Sequence, residues 1–289
     1  MTATREWPLP VGGVTVHFIG DLHMMATDTN GRRAKARTDM TGSPLLPPVV
    51  AHVQIGDFTD TYVPAYDTAA LAWLAGLTNA PRYVMVGNHD MYGRTGDQAA
   101  TAYGMASKNY VVNLGAITLV VVGPSADQAD HCTILLDAAT LAWLDATLTA
   151  TPGPCAIACH APLDATVVAN ATDPDAIGST NPEWHAEPKT EIEAMLAAHS
   201  NVVAWIGGHT HTHPRNTGAV IARTFGGHTV ACITTSALYY TGTTVEPDDP
   251  LMSCYVTFYP SRVDVRYRDH GGATWFRTPA GALVRSITI

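Results

Sequence analysis

The stretch VTVHFIGDLH, residues 14–23, decides the fold. Val14–Ile19 is an apolar run of strand length, and Gly-Asp-Leu-His follows it without a spacer. A buried strand that ends on Gly and then presents Asp21 and His23 puts polar chemistry at its carboxyl end. That is where ligands bind in α/β sheets. The pattern recurs along the chain. GDFTD (Asp57, Asp60) follows the run Val49–Ile55, and GNHD (Asn88, His89, Asp90) follows Tyr83–Val86. CHAP (His160) follows Ala156–Cys159, and GGHTH (His209, His211) follows Val202–Ile206.

Helical spacing separates these strands. Residues 65–77 carry apolar groups at helical intervals, residues 137–149 begin on Asp137 as an N-cap, and residues 187–199 have Pro188 in the first turn. Val111–Leu114 and Ile117–Val122 predict a hairpin turning at Gly115. Beyond residue 218 the pattern is all strand, with Val230–Thr235, Tyr255–Tyr259, Val263–Tyr267 and a piece near Trp275. We therefore expect an α/β fold in a single domain, residues 1–289, with a strand-rich C-terminal part from about residue 219. Residues 24–48 and 163–186 have no period and read as long loops, which are functional or disordered more often than short ones.

Composition narrows the function. A chain of 289 residues with 46% hydrophobic content buries a large core. A net charge of −9 argues against general nucleic-acid binding, although bound cations can invert the potential locally. No apolar run approaches the roughly 18 residues of a membrane span, and MTATREWPLP lacks the pattern of a signal peptide. The five cysteines contain no CxxC pair and read as reduced thiols of a cytoplasmic protein.

Asp, Asn and His supply oxygen and nitrogen donors without thiolate, a set suited to Mn, Zn or Fe. One carboxylate bridges two cations, and two cations about 3.5–4 Å apart clamp a phosphoryl group for in-line attack by a hydroxide held between them. Taken singly, each motif reads more simply as a turn, because Gly, Asn and Asp tolerate left-handed backbone. The ordered set, each member at a strand end, does not.

The series D-x-H, G-D-x-x-D, G-N-H-D, a lone His and G-H-x-H resembles the calcineurin-like metallophosphoesterase superfamily over residues 20–211. The resemblance implies a four-layer α/β/β/α sandwich. It implies one divalent metal held by Asp21, His23, Asp57 and His211, and a second by Asp57, Asn88, His160 and His209. It places His89 beside the leaving-group oxygen as a catalytic acid, with Asp90 orienting its ring and Asp60 bracing the site. Purple acid phosphatases are similar but have Tyr where Asp60 stands, and protein Ser/Thr phosphatases read G-D-x-V-D-R-G. The branch containing class III cyclic-nucleotide phosphodiesterases looks most similar, but its usual H-H-P is His160-Ala161-Pro162 here. We therefore expect a dinuclear hydrolase acting on a small phosphoester, with diesters favoured. A phosphomonoesterase and a non-catalytic binding module of the same fold are the alternatives.

The remaining candidates read structurally. His213 and the Arg32–Arg37 cluster are expected on solvated loops, His228 in a turn and His17 within its strand. Trp73 and Trp143 are expected in the core, while Trp184 and His185 belong either to a lid over the site or to a passive loop.

Overall fold

Parallel strands made of continuous apolar residues must be covered on both faces, and this sets the layers. The computed structural model describes residues 12–28, 31–126, 128–171, 173–174, 176–239, 250–278 and 280–289. In the first sheet β1 (Val14–Ile19), β2 (Ala51–Gln54) and β3 (Arg82–Val84) run parallel. β12 (Met252–Tyr259) flanks β1 antiparallel, followed by β13 (Arg262–Asp269), which pairs with both β14 (Thr274–Trp275) and β15 (Arg285–Thr288). The second sheet has a parallel core of β5 (Thr118–Val122), β7 (Cys155–Cys159), β9 (Val202–Gly207) and β11 (His228–Thr234). Its edges are β4 (Tyr110–Asn113) and β10 (Val220–Phe225). The two-residue strands β6 (Ile134–Leu135) and β8 (Ala186–Glu187) pair separately.

Side-chain alternation then builds the sandwich. Val16, Phe18, Val53 and Ile55 meet Leu119, Val121, Ala158 and Ile206 between the sheets. The other face of the second sheet packs Val120, Val122 and Ile157 on α4 (Ala138–Ala150) and α5 (Lys189–Ala198). The outer face of the first sheet meets α1 (Arg32–Gly42) and α2 (Pro64–Ala75) through Met40, Trp73 and Leu74. These are the four layers implied by the resemblance. The hairpin turns through Gly115 at φ +88°, and Asp137 caps α4 by accepting from Thr140 N. Trp143 is half-buried against the second sheet's outer core, and the cysteines are free, all buried except half-buried Cys132. No described helix is long and apolar enough to cross a membrane.

Two expectations are corrected. Residues 24–48 are not one long loop, because α1 lies within them. Its first turn is capped from outside: the Asp28 carboxylate accepts from Arg33 N and Ala34 N at 2.9 and 3.0 Å. Arg32 and Arg33 are not solvated either. Arg33 donates to the carbonyls of Leu22, His23 and Thr27, and Arg32 donates to that of Tyr239. The charged groups are buried because they satisfy backbone oxygens that the strand-end loops leave without partners. A short helix, α3 (Gly96–Ala102), was also not anticipated, although Thr95 and Gln98 form a capping box there. The described residues of 163–186 are irregular as expected, apart from a single turn at Pro182–Trp184 and the start of β8.

His17 is buried in a hydrogen-bonded row between the first sheet and α1. His17 Nδ1 meets His52 Nδ1 at 2.9 Å and His17 Nε2 meets Ser253 Oγ at 2.7 Å. Ser253 Oγ meets His270 Nε2 at 2.7 Å, and His270 Nδ1 donates to Asp39 at 2.7 Å. Asp39 in turn accepts from Arg268 and is held down to about 2: burial opposes this, but the Arg268 and His270 hydrogen bonds outweigh it. Burial lowers the pKa of all three histidines, most for His17, beside His52 and His270. The folded chain then binds fewer protons than the unfolded chain below the ordinary histidine value, so stability is lost as pH falls through that range. The melting temperature should fall between about pH 7 and 5, with a shallower slope in His17→Gln. An unchanged slope would show that these rings do not set the acid response.

Candidate metal centre

Each of the five motifs occupies the carboxyl end of a parallel strand: β1, β2 and β3 in one sheet, β7 and β9 in the other. The sheets meet at this end, where His209 N donates to Asp21 Oδ1 at 3.0 Å and His160 Nδ1 to Ile55 O at 2.8 Å. The turns are tight enough to force left-handed backbone on side chains that rarely adopt it. Asp21, His23, Asp57, His209 and His211 have φ of 47°, 44°, 50°, 66° and 45°. Such conformations cost on the order of 1–3 kcal/mol each and persist where surrounding structure dictates them. A Cβ at Gly56 would strike the His160 ring, and one at Gly87 would strike Asp57, so both motif glycines are required by close approach.

Three donor groups result: two share Asp57, and the third, His23, Asp60 and His89, shares His23 with one of them. Donor atoms of Asp21, His23, Asp57 and His211 lie within 4.8 Å of one another, as do those of Asp57, His160 and His209. His23 Nε2 is 3.0 Å from His211 Nε2. His211 Nε2 is 3.2 Å from Asp21 Oδ1, and His160 Nε2 is 3.2 Å from Asp57 Oδ1. The rings are fixed from behind. His23 Nδ1–H donates to Asp60 at 3.2 Å, His160 Nδ1–H to Ile55 O at 2.8 Å and His209 Nε2–H to Glu183 O at 2.9 Å. This leaves the opposite nitrogen of each neutral ring as a lone pair facing inward. Asn88 Nδ2 donates to His131 O at 2.9 Å. Asn88 Oδ1, Asp21 Oδ2 and His160 Nε2 are buried without a hydrogen-bond partner. Orphaned buried acceptors on Asn88 and Asp21, beside converging carboxylates and imidazoles, fit divalent cations.

The fields agree. Burial alone would raise Asp57, but His160, His89 and His23 hold it well below the carboxylate range. Asp21 is likewise lowered against burial, mainly by His211. His160 is pushed to about 9: burial works against this, and Asp57 outweighs it. His209 is pushed down to about 4 by burial and by His160 beside it.

His89 stands at the rim, half-buried. Its Nδ1–H donates to Asp60 O at 2.7 Å, its backbone N donates to Asp57 Oδ1 at 3.0 Å, and the Tyr92 hydroxyl lies 3.5 Å from Nε2. Asp90 does not orient that ring as expected. Its carboxylate instead accepts from the backbone N–H of Phe58, Thr59 and Gly87 and from the Tyr103 hydroxyl at 2.5 Å. The buried turn amides of two motifs need an acceptor, and Asp90 supplies it. Arg94 completes this latch, reaching Tyr103 at 3.1 Å and making a bidentate pair with Asp67 of α2. Sequence reading missed Arg94 and Tyr103, and expected Arg33 on a solvated loop. The Glu183 carbonyl has no side-chain signal by which it could have been found.

Over this floor opens a cavity of about 520 Å³, lined also by Cys132 and by residues of the 163–186 segment, including Ile177 and Trp184. His213 and His228 are half-buried and do not line it; His213 packs edge-on against Phe276 with ring centres 5.3 Å apart.

Residues 14–213 match the family model for calcineurin-like phosphoesterase. The chain belongs to that family. No curated protein matches this calcineurin-like phosphoesterase. Among solved structures, a dimetal phosphatase from Danio rerio aligns with a TM-score of 0.57 at 16% identity, covering 95% of this chain and 98% of that one. Purple acid phosphatase PPD1 from yellow lupin aligns at 0.56 and 11%, covering 98% of this chain and 55% of that one. GAP50, the anchor in the inner membrane complex of Plasmodium, aligns at 0.54 and 7%, covering 96% and 89%. At these identities the likeness shows a common fold.

Removing the latch should cost more than an ordinary hydrogen bond. Asp90→Ala leaves several buried donors without an acceptor, each costing about 1–3 kcal/mol. Chemical denaturation should show a loss of about 3 kcal/mol or more, with Asp90→Asn less affected. A loss below about 1 kcal/mol would mean that Asp90 does not hold the two motif loops.

Proposed function

We propose that this phosphoesterase is a dinuclear metal-dependent hydrolase of small phosphodiesters. The observation carrying this reading is the pair of donor groups sharing Asp57. Asp21, His23, Asp57 and His211 would hold one ion, and Asp57, Asn88, His160 and His209 the other, with Mn, Zn or Fe fitting the donor set. Bound divalent ions supply Lewis acidity: they neutralise phosphoryl oxygens and acidify water. The chain's own residues do the rest. His89 presents Nε2 to the cavity with its ring fixed through Nδ1, which suits it to protonate the leaving oxygen. Asp57 and Asp60 favour its protonated form against the effect of burial.

Charge supports diesters over monoesters. Among the described residues lining the cavity there is no Lys or Arg. A monoester dianion carries a second charge with no side-chain cation to meet it, whereas a diester carries one. Nucleic acid does not suit an acidic chain with a cavity of this size. GAP50 is described as the anchor in an inner membrane complex. A binding role of that kind is not favoured here, because the complete donor set and His89 are retained.

With Mn²⁺, bis-p-nitrophenyl phosphate should be turned over with higher kcat/KM than p-nitrophenyl phosphate, and chelator should abolish both activities. Asp57→Asn should reduce turnover to background. His89→Ala should lower kcat by about 10²–10⁴, most for poor leaving groups. Full activity in Asp57→Asn would refute the shared-ligand assignment.

A further inference from the structure

We propose that Trp184 determines substrate class: the ester arm that does not leave is an uncharged aromatic or heteroaromatic ring that packs against its indole. This rests on the diesterase reading above and names the arm that the cavity accepts. One wall of the cavity comes from a single short stretch, with Ile177, Thr180, Asn181 and Trp184. Trp184 is the aromatic residue of that wall, and its ring lies 5.0 Å from the His209 ring at a 33° tilt. It therefore borders both the cavity and the proposed metal ligands.

The backbone that carries the indole is held in place. Trp184 N donates to Asn181 O at 2.9 Å, and the preceding carbonyl, Glu183 O, accepts from His209 at 2.9 Å. The following residue, His185, is buried and bonded to Ser179 O at 2.9 Å and Glu187 at 2.8 Å. Ala186 N donates to Pro162 O at 2.9 Å, tying the segment to the loop after β7. The segment is a fixed wall, and a preorganised aromatic surface binds a ring without first having to be ordered.

The chemistry of the wall selects against a charged arm. Ile177 and Trp184 are apolar, and Thr180 and Asn181 are neutral hydrogen-bonding groups. A second phosphate or a carboxylate would meet no side-chain cation on this wall, while an uncharged ring meets an aromatic surface and neutral partners. A cavity of about 520 Å³ has room for a phosphoryl group carrying one such ring.

The test uses two esters with the same leaving group. Mn²⁺-loaded protein is assayed on phenyl p-nitrophenyl phosphate and methyl p-nitrophenyl phosphate. The phenyl-to-methyl ratio of kcat/KM should be about tenfold, carried by KM. It should collapse toward one in Trp184→Ala and be largely kept in Trp184→Phe. Calorimetry on phenyl methylphosphonate and methyl methylphosphonate reads the same preference without turnover. If neither ester is hydrolysed but the phenyl ligand still binds more tightly through Trp184, the hydrolase reading fails and the aromatic subsite stands. A wild-type ratio near one, or a ratio that survives Trp184→Ala, overturns the proposal.

Discussion

The Asp57 carboxylate is the group on which the site depends. It is buried, and three histidines face it. Asp21 is buried nearby, and Asp90 lies beneath. Burying carboxylates this close together is unfavourable unless positive charge compensates them. The histidines compensate in part, and buried acceptors on Asp21 and Asn88 remain without a hydrogen-bond partner. Divalent cations between the two donor groups would complete it.

The rest of the molecule holds these groups at close quarters. Continuous apolar strands oblige both sheets to be covered on both faces, and the two sheets bring the carboxyl ends of five parallel strands to one rim. Left-handed turns at Asp21, His23, Asp57, His209 and His211 store strain there. The latch of Asp90, Tyr103, Arg94 and Asp67 connects the turns after β2 and β3 to α2. Arg33 does the same from α1 for the turn after β1. Both braces use charged side chains to satisfy main-chain groups that tight turns leave without partners.

Legibility in the sequence followed the physics. Strands with both faces buried appear as unbroken apolar runs, so β1, β7 and β9 were evident within a residue or two. The motif residues were readable because Gly-Asp, Gly-Asn-His and Gly-His at strand ends combine a turn requirement with metal-type donors. The helix α1 was not readable, because its cap is Asp28, outside the helix, and its buried face is partly arginine. Asp90 was misassigned because sequence adjacency to His89 says nothing about where its carboxylate points. The His89 ring is instead fixed by a main-chain carbonyl, which no residue type announces. The same holds for Glu183 O behind His209.

The central claim is that Asp57 stands between two cations. Crystals grown with Mn²⁺, with anomalous data collected on both sides of the manganese edge, test it most directly. The structure predicts two anomalous peaks about 3.5–4 Å apart, flanking the Asp57 carboxylate. One peak should lie against Asp21, His23 and His211, and the other against Asn88, His160 and His209. A single peak, or a pair that does not flank Asp57, would contradict it.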